Sequence, residues 1–197
     1  MKAIARRRGM RRMHKGKGTG RGVTLVELLT AIAVVAALAG VAAPAFRSLL
    51  LNQRLASSSQ AFVAALNMAR IEAIRQAGPV VVAMGGPGGW GGGWSVIAED
   101  DAGGSASKVL RRFEKLPTGI EVDDSLGDGF AQGLRYDSQG FSRGARHGGF
   151  GAGCLTFKAR TGRRASIVVS ASGRAKACDP DRAGDCGTGV CGRGGRP

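Results

Sequence analysis

Between Glu27 and Arg47 the chain runs through residues 28–46, 19 positions, without a charged side chain. A helix needs about 20 such residues to cross the hydrocarbon layer of a membrane. This stretch is therefore long enough to span a bilayer, and the rest of the chain must fold as something tethered to it. Residues 1–22 carry nine Lys and Arg and no Asp or Glu, whereas only Arg47 follows the apolar run closely. By the positive-inside rule the basic end stays in the cytoplasm and the C-terminal part is sent outward.

Charge must be located before it is interpreted. A formal net charge of +15 spread evenly would point to nucleic acid or an anionic surface. Most of it sits in the basic leader instead. A second concentration lies in residues 135–197, with twelve Lys and Arg against four Asp and Glu. The remainder of the chain is thus basic mainly in its last third.

Beyond Arg47 the apolar residues Leu55, Phe62, Leu66, Ala69 and Ala73 recur at helical steps and make one stripe of an amphipathic helix. Gly78-Pro79 stops it. A helix unbroken over 23–77 would reach roughly 80 Å at 1.5 Å per residue, and Pro44 is expected to bend or unwind it locally. The competing reading is a discarded secretory signal, because a basic region, an apolar region and the small-residue triplet Ala43-Pro44-Ala45 fit that template. Glu27 at the start of the apolar run, and helical patterning well past Ala45, argue against it.

The string Arg21-Gly22-Val23-Thr24-Leu25-Val26-Glu27-Leu28-Leu29 resembles the class III signal of type IV pilins and type II secretion pseudopilins, and Pro44 falls where that family has its helix-breaking proline. The later string Leu66-Asn67-Met68-Ala69-Arg70-Ile71-Glu72-Ala73-Ile74-Arg75 is similar to the helix end of the GspH/FimT branch. The resemblance implies cleavage between Gly22 and Val23 by a prepilin peptidase, N-methylation of Val23, and a place in the inner membrane with the head in the periplasm. It also implies assembly with other pilins or pseudopilins into a filament. The family usually carries Phe at the position of Val23. A carboxylate at the edge of a membrane helix costs on the order of 3 kcal/mol unless paired. In the family the partner of Glu27 is the freed α-amine of a neighbouring subunit; the alternative is that Glu27 lies among lipid headgroups.

After Pro79 the pattern changes to short β-rich segments between glycine and charged turns. Strands are expected near 80–84, 94–98, 109–113, 120–122, 134–136, 155–158, 167–170 and 174–178. An antiparallel sheet packed on the end of a long helix would cover the stripe, which makes the fold α+β and pilin-like. The expected divisions are a cleaved leader over 1–22, a transmembrane helix over 23–47, an amphipathic spine over 48–78 and a β-rich head over 79–197. Residues 85–93, broken by Pro87 and Trp90, read as a flexible glycine loop. No Gly-Lys-Ser/Thr follows them, so this is no phosphate loop.

All four cysteines, Cys154, Cys178, Cys186 and Cys191, lie in the part expected outside the cytoplasm, where disulfides persist. Of the three connectivities, the favoured one joins Cys154 to Cys178 across neighbouring strands and Cys186 to Cys191 around a small loop. A four-cysteine zinc site is the alternative, but the Cys-x2-Cys pairs of zinc knuckles are missing. Asp179, Asp181 and Asp185 invite a calcium reading, yet Val190 stands where a calcium loop needs its bidentate Glu. His14 lies in the leader and His147 in a glycine-rich turn. With no nucleophile beside a base and no acid–base pair, neither catalysis nor a cofactor or metal is expected.

Arg160, Arg163, Arg164, Arg174, Lys176 and Arg182 cluster around the last two expected strands. If those strands are antiparallel neighbours, the charges could follow a double-stranded DNA backbone with little sequence preference. Gly173-Arg174-Ala175-Lys176 resembles the Gly-Arg-x-Arg motif with which FimT proteins bind DNA in natural transformation, with Lys in place of the final Arg. That exchange keeps the charge and loses the forked geometry. The residues singled out for DNA are Arg163, Arg164, Arg174 and Lys176; the alternative is a solubilising basic surface.

Overall fold

The computed structural model describes residues 22–99, 107–126, 130, 133–144, 151–187 and 191. The leader up to residue 21, and His147, lie outside these. The chain divides into two compact units, Met1–Ala43 and Pro44–Pro197. One helix, α1 (Leu25–Arg75), belongs to both.

In the first unit every described residue is exposed. Leu28, Leu29, Ile32, Val35, Leu38 and Val41 are each more than half uncovered. By length and composition α1 can cross a membrane. Helical geometry continues through Pro44, so the expected unwinding does not occur there. The proline still lacks a donor for the carbonyl four residues back.

The second unit is a head built on the rest of α1. All five residues of the expected stripe are buried, and Ser58, Ser59 and Ala65 are buried with them. The helix ends in a left-handed turn. Ala77 has φ 50°, its N–H donates to Ile74 C=O at 3.3 Å, and Gly78 N–H donates to Ala73 C=O at 3.1 Å. These two bonds make a Schellman motif, after which Pro79 cannot continue the helix.

Nine strands follow among the described residues: β1 (Val80–Met84), β2 (Trp94–Ala98), β3 (Lys108–Phe113), β4 (Ile120–Val122), β5 (Leu134–Tyr136), β6 (Ser142–Gly144), β7 (Gly153–Ala159), β8 (Arg164–Val169) and β9 (Ala175–Cys178). They form two antiparallel sheets where one was expected. The first has the order β3-β2-β1-β5-β6 and the second β4-β7-β8-β9. Phe62 is the hub between them, fully buried. Its ring meets Trp90 and Trp94 edge-on at 5.1 and 5.0 Å and Phe157 of β7 at 5.9 Å. Such edge-to-face contacts add to the area that aromatics bury.

The glycine loop between β1 and β2 packs, contrary to expectation. Gly89–Gly92 forms a 3-10 turn that buries Trp90, and Gly91 C=O accepts from Leu116 N–H at 3.0 Å. One large aromatic aimed at Phe62 supplies the burial that glycines lack.

Candidate functional site

The first turn of α1 explains how Glu27 is held. Glu27 N–H donates to Thr24 Oγ1 at 3.2 Å, and Leu28 N–H donates to Thr24 C=O at 3.1 Å. Thr24 is therefore the N-cap, and Glu27, three residues on, occupies the capping-box position. A carboxylate there is also favoured by the positive end of the helix dipole. Thr30 Oγ1 donates back to Glu27 C=O at 2.9 Å. Gly22 and Val23 lie exposed immediately before this turn. The cap escaped the sequence reading, although Thr-x-x-Glu before an apolar run is its signature.

The second sheet is buried on both faces. Leu155, Phe157, Ala159, Ile167 and Val169 face the common core, while Cys154, Thr156 and Ser166 point the other way and are also buried. Thr156 Oγ1 and Ser166 Oγ share a hydrogen bond of 2.7 Å. The chain after β9 closes over this outer side. Cys154 is bonded to Cys191 and Cys178 to Cys186, with Cα separations of 5.9 and 5.2 Å. The four cysteines and Val168 form one small cluster.

This pairing replaces the expected one for a topological reason. Cys154 on β7 faces Val168 on β8, and Val168 faces Lys176 on β9. With β8 between them, β7 and β9 lie two strand spacings apart, about 10 Å. That is beyond disulfide reach, so each strand cysteine takes a partner from the covering segment. Two charged groups help to hold that segment. Arg164 hydrogen-bonds the Asp181 carboxylate and stands 3.7 Å from Asp123, and Lys176 Nζ donates to Asp185 C=O at 2.7 Å. The hydrogen bond to Asp181 raises the Arg164 pKa further. Asp179 and Asp185 make turn contacts: Asp185 Oδ2 accepts from Asp179 N–H at 2.6 Å and Asp179 Oδ1 from Asp181 N–H at 3.0 Å.

The basic cluster is consequently divided. β8 and β9 are antiparallel neighbours as expected, but Arg163 precedes β8 and Arg174 lies in the turn after it. The two stand at opposite ends of a strand, roughly 20 Å apart. Arg163 and Arg174 are exposed, whereas Arg164 and Lys176 are engaged with the covering segment. The turn carrying Arg174 is fixed from below by Arg70 of α1. Arg70 Nε donates to Gly140 C=O and its terminal nitrogen to Ser172 C=O, each at 3.0 Å. Gly173 has φ 81°, and a Cβ on it would collide with Gly140 C=O, so only glycine fits there. Beneath lies Tyr136, whose buried hydroxyl has no hydrogen-bond partner among the described residues. Burial pushes its pKa above the ordinary phenol range, and the Arg70 charge pulls weakly the other way. Nothing in the order of residues marked Arg70 as this clamp, because its acceptors are carbonyls 70 and 102 positions away.

Among the described residues no three His, Cys, Asp or Glu side chains gather as a metal site. No curated protein matches the sequence. The family described as Type II transport protein GspH matches residues 58–173, which takes in the helix stripe from Phe62 onward and every strand but β9 among those described. In fold the chain is similar to the type IV minor pilin FimU of Pseudomonas aeruginosa in two crystal forms. One gives a TM-score of 0.53 at 17% identity over 68% of this chain and 96% of that one; the other gives 0.51 at 18% over 67% and 99%. The minor pseudopilin EpsH from the Type 2 Secretion System of Vibrio cholerae gives 0.48 at 14% over 66% and 99%. The family match covers more than half of the chain and makes it a member of the GspH family, and its long apolar helix and two-sheet head have the pilin fold seen in FimU.

Proposed function

We propose that the protein is a structural minor pseudopilin, processed by prepilin peptidase and assembled with other pilins in a secretion or pilus filament. In this reading residues 1–22 are a cytoplasmic leader and 23–47 cross the inner membrane. Residues 48–78 form the spine of a periplasmic head over 79–197. The observation that carries it is the first half of α1: a helix capped by Thr24, carrying Glu27 in its first turn, and exposing apolar side chains on all sides. Such a surface must be covered by lipid or by other helices. The Glu27 carboxylate has no partner within the chain among the described residues, which leaves it for a freed α-amine at Val23 of a neighbour, methylated in the family. The role is structural and not enzymatic. Glu27→Ala should leave membrane insertion unchanged and abolish co-purification with other pilins. A mature protein starting at Phe46, or normal co-purification of the variant, overturns the reading.

A second reading, DNA capture in natural transformation, draws support from the rigid presentation of Arg174. Arg174 N–H donates to Ser170 Oγ at 3.3 Å, and Arg70 and Gly173 fix the same turn. The reading now rests on Arg163 and Arg174, since Arg164 and Lys176 are engaged elsewhere. Arg174→Gln should lower the salt slope of duplex binding by about one unit. Absence of any binding at low salt would end it.

A further inference from the structure

The charge-free run ends at Phe46, and within two turns α1 meets the head. Arg47, Leu51 and Arg54 follow at steps of 4 and 3, which puts them on one face of the helix. The turn before β4 is seated on that face: Gly119 has φ 90°, and a Cβ on it would come within 2.7 Å of Leu51 Cδ2. The turn between β7 and β8 is tied to the same place twice. Arg160 N–H donates to Gly119 C=O at 2.9 Å, and Thr161 Oγ1 donates to Asn52 Oδ1 at 2.8 Å. Arg160 and Arg163 are thereby brought to the level of Arg47 and Arg54 on the helix. All four are exposed, and none makes an ion pair among the described residues. Of the acids on neighbouring elements, Glu114 is followed by Lys115 and Glu121 stands opposite Lys158 in the register of β4 and β7. Asp179 lines a cleft with Arg163 but accepts Asp181 N–H. The balance stays positive.

What this collar of charge meets is set by its height on the helix. From Phe46 to Leu51 α1 rises about 8 Å, and the polar headgroup layer on each side of a bilayer's hydrocarbon core is about 5–7 Å deep. Arginine stems lie along apolar surface and carry their charge further still. Phe46, Leu49 and Leu50, exposed to 60%, 54% and 37%, supply apolar surface at the boundary itself. A guanidinium is a planar fork that pairs with phosphate through two parallel hydrogen bonds. Lipid phosphate is the anion available at this height.

We infer that Arg47, Arg54, Arg160 and Arg163 form a collar that seats the head on anionic phospholipid where α1 leaves the bilayer. The inference rests on the membrane-crossing part of the reading above. The test puts the full chain into nanodiscs of phosphatidylcholine, or of an equal mixture of phosphatidylcholine and phosphatidylglycerol, and follows amide exchange. The anionic lipid should slow exchange over 118–119 and 160–163, about fivefold for each arginine engaged, and high salt should reverse this. Arg160→Gln with Arg163→Gln should remove the protection while β7 and β8 exchange as in the parent. Lys108→Gln removes a charge beside Glu72, at the other end of α1, and should change nothing; an equal loss there would mean that net charge acts without a site and would overturn the collar. Equal exchange in the two lipid compositions also overturns it and leaves the membrane helix standing. Failure of the chain to enter either disc overturns both. Protection gained in neutral discs from inorganic phosphate, or from duplex DNA where phosphatidylglycerol gives none, assigns these arginines to a soluble anion or to DNA and ends the lipid proposal.

Discussion

The two sheets of the head rest on the same helix yet differ in what lies on their other side. In the first, β2 buries Trp94, Val96 and Ala98 while Ser95 and Ile97 are only half covered, and edge strand β3 is largely exposed. In the second, β7 buries Cys154 and Thr156 as well as Leu155 and Phe157. The first sheet is stabilised mainly by its apolar face against α1, although Val81 of β1 is also buried on its outer side. The outer face of the second is covered by a segment rich in glycine and poor in large apolar residues, which cannot adhere by hydrophobic burial alone. Disulfides do there what side-chain area does elsewhere, so covalent stabilisation is concentrated on one side of the molecule.

If that contrast is right, the largest disturbance must be the one that strikes what the sheets share. Phe62→Ala removes the ring that touches Trp90, Trp94 and Phe157 and should cost about 3–5 kcal/mol of head stability. Hydrogen exchange should quicken in β1 and β2 and in β7 and β8 alike. Protection lost in one sheet only would mean that the core is not common to both. The next largest effect should separate the sheets. Replacing Cys154 and Cys191 by Ser opens a link spanning 37 residues and should cost about 2–5 kcal/mol. Exchange should then quicken in β7, β8 and β9 while β1 and β2 keep their protection, and uniform loss would erase the contrast. Opening Cys178–Cys186, with a separation of 8, should do less on the loop-entropy account.

How far these features could be read in advance depended on whether their cause was local. The stripe of Leu55, Phe62, Leu66, Ala69 and Ala73 was legible because helical periodicity lies in neighbouring residues. Most strands were legible from β-branched runs between glycines. Strand β6, with Ser142-Arg143-Gly144, carries no such run and owes its place to pairing with β5. The cysteine partners were misread because they depend on β8 standing between β7 and β9, a matter of strand order. The basic residues were legible as a group, but the engagement of Arg164 and Lys176 depends on where the last segment folds back. Trp90 was assigned to a loose loop because glycine content was visible and the waiting ring of Phe62 was not.

The smallest of the expected effects tests the contrast through acid. Burial alone would raise the Asp123 carboxyl, but hydrogen bonds from Ser125 and the charges of Arg164 and Lys158 outweigh it and hold it below its ordinary value of 3.8. A carboxyl whose pKa is depressed on folding binds its proton more weakly in the folded than in the unfolded chain. Its contribution is therefore present above the ordinary value and is lost as pH falls through the lower, folded value. Asp123 N–H also donates to Thr156 C=O at 2.8 Å, which ties this titration to β7 and not to the first sheet. Asp123→Asn should cost about 1 kcal/mol at neutral pH and almost nothing once the parent protein is itself protonated, so the two unfolding curves should converge on acidification. Exchange in β7 and β8 of the parent should quicken over the same acidic range while β1 and β2 stay protected. A variant whose stability deficit did not shrink with acid would show that Asp123 acts through shape and not charge, and the ionic part of the second sheet's support would have to be given up.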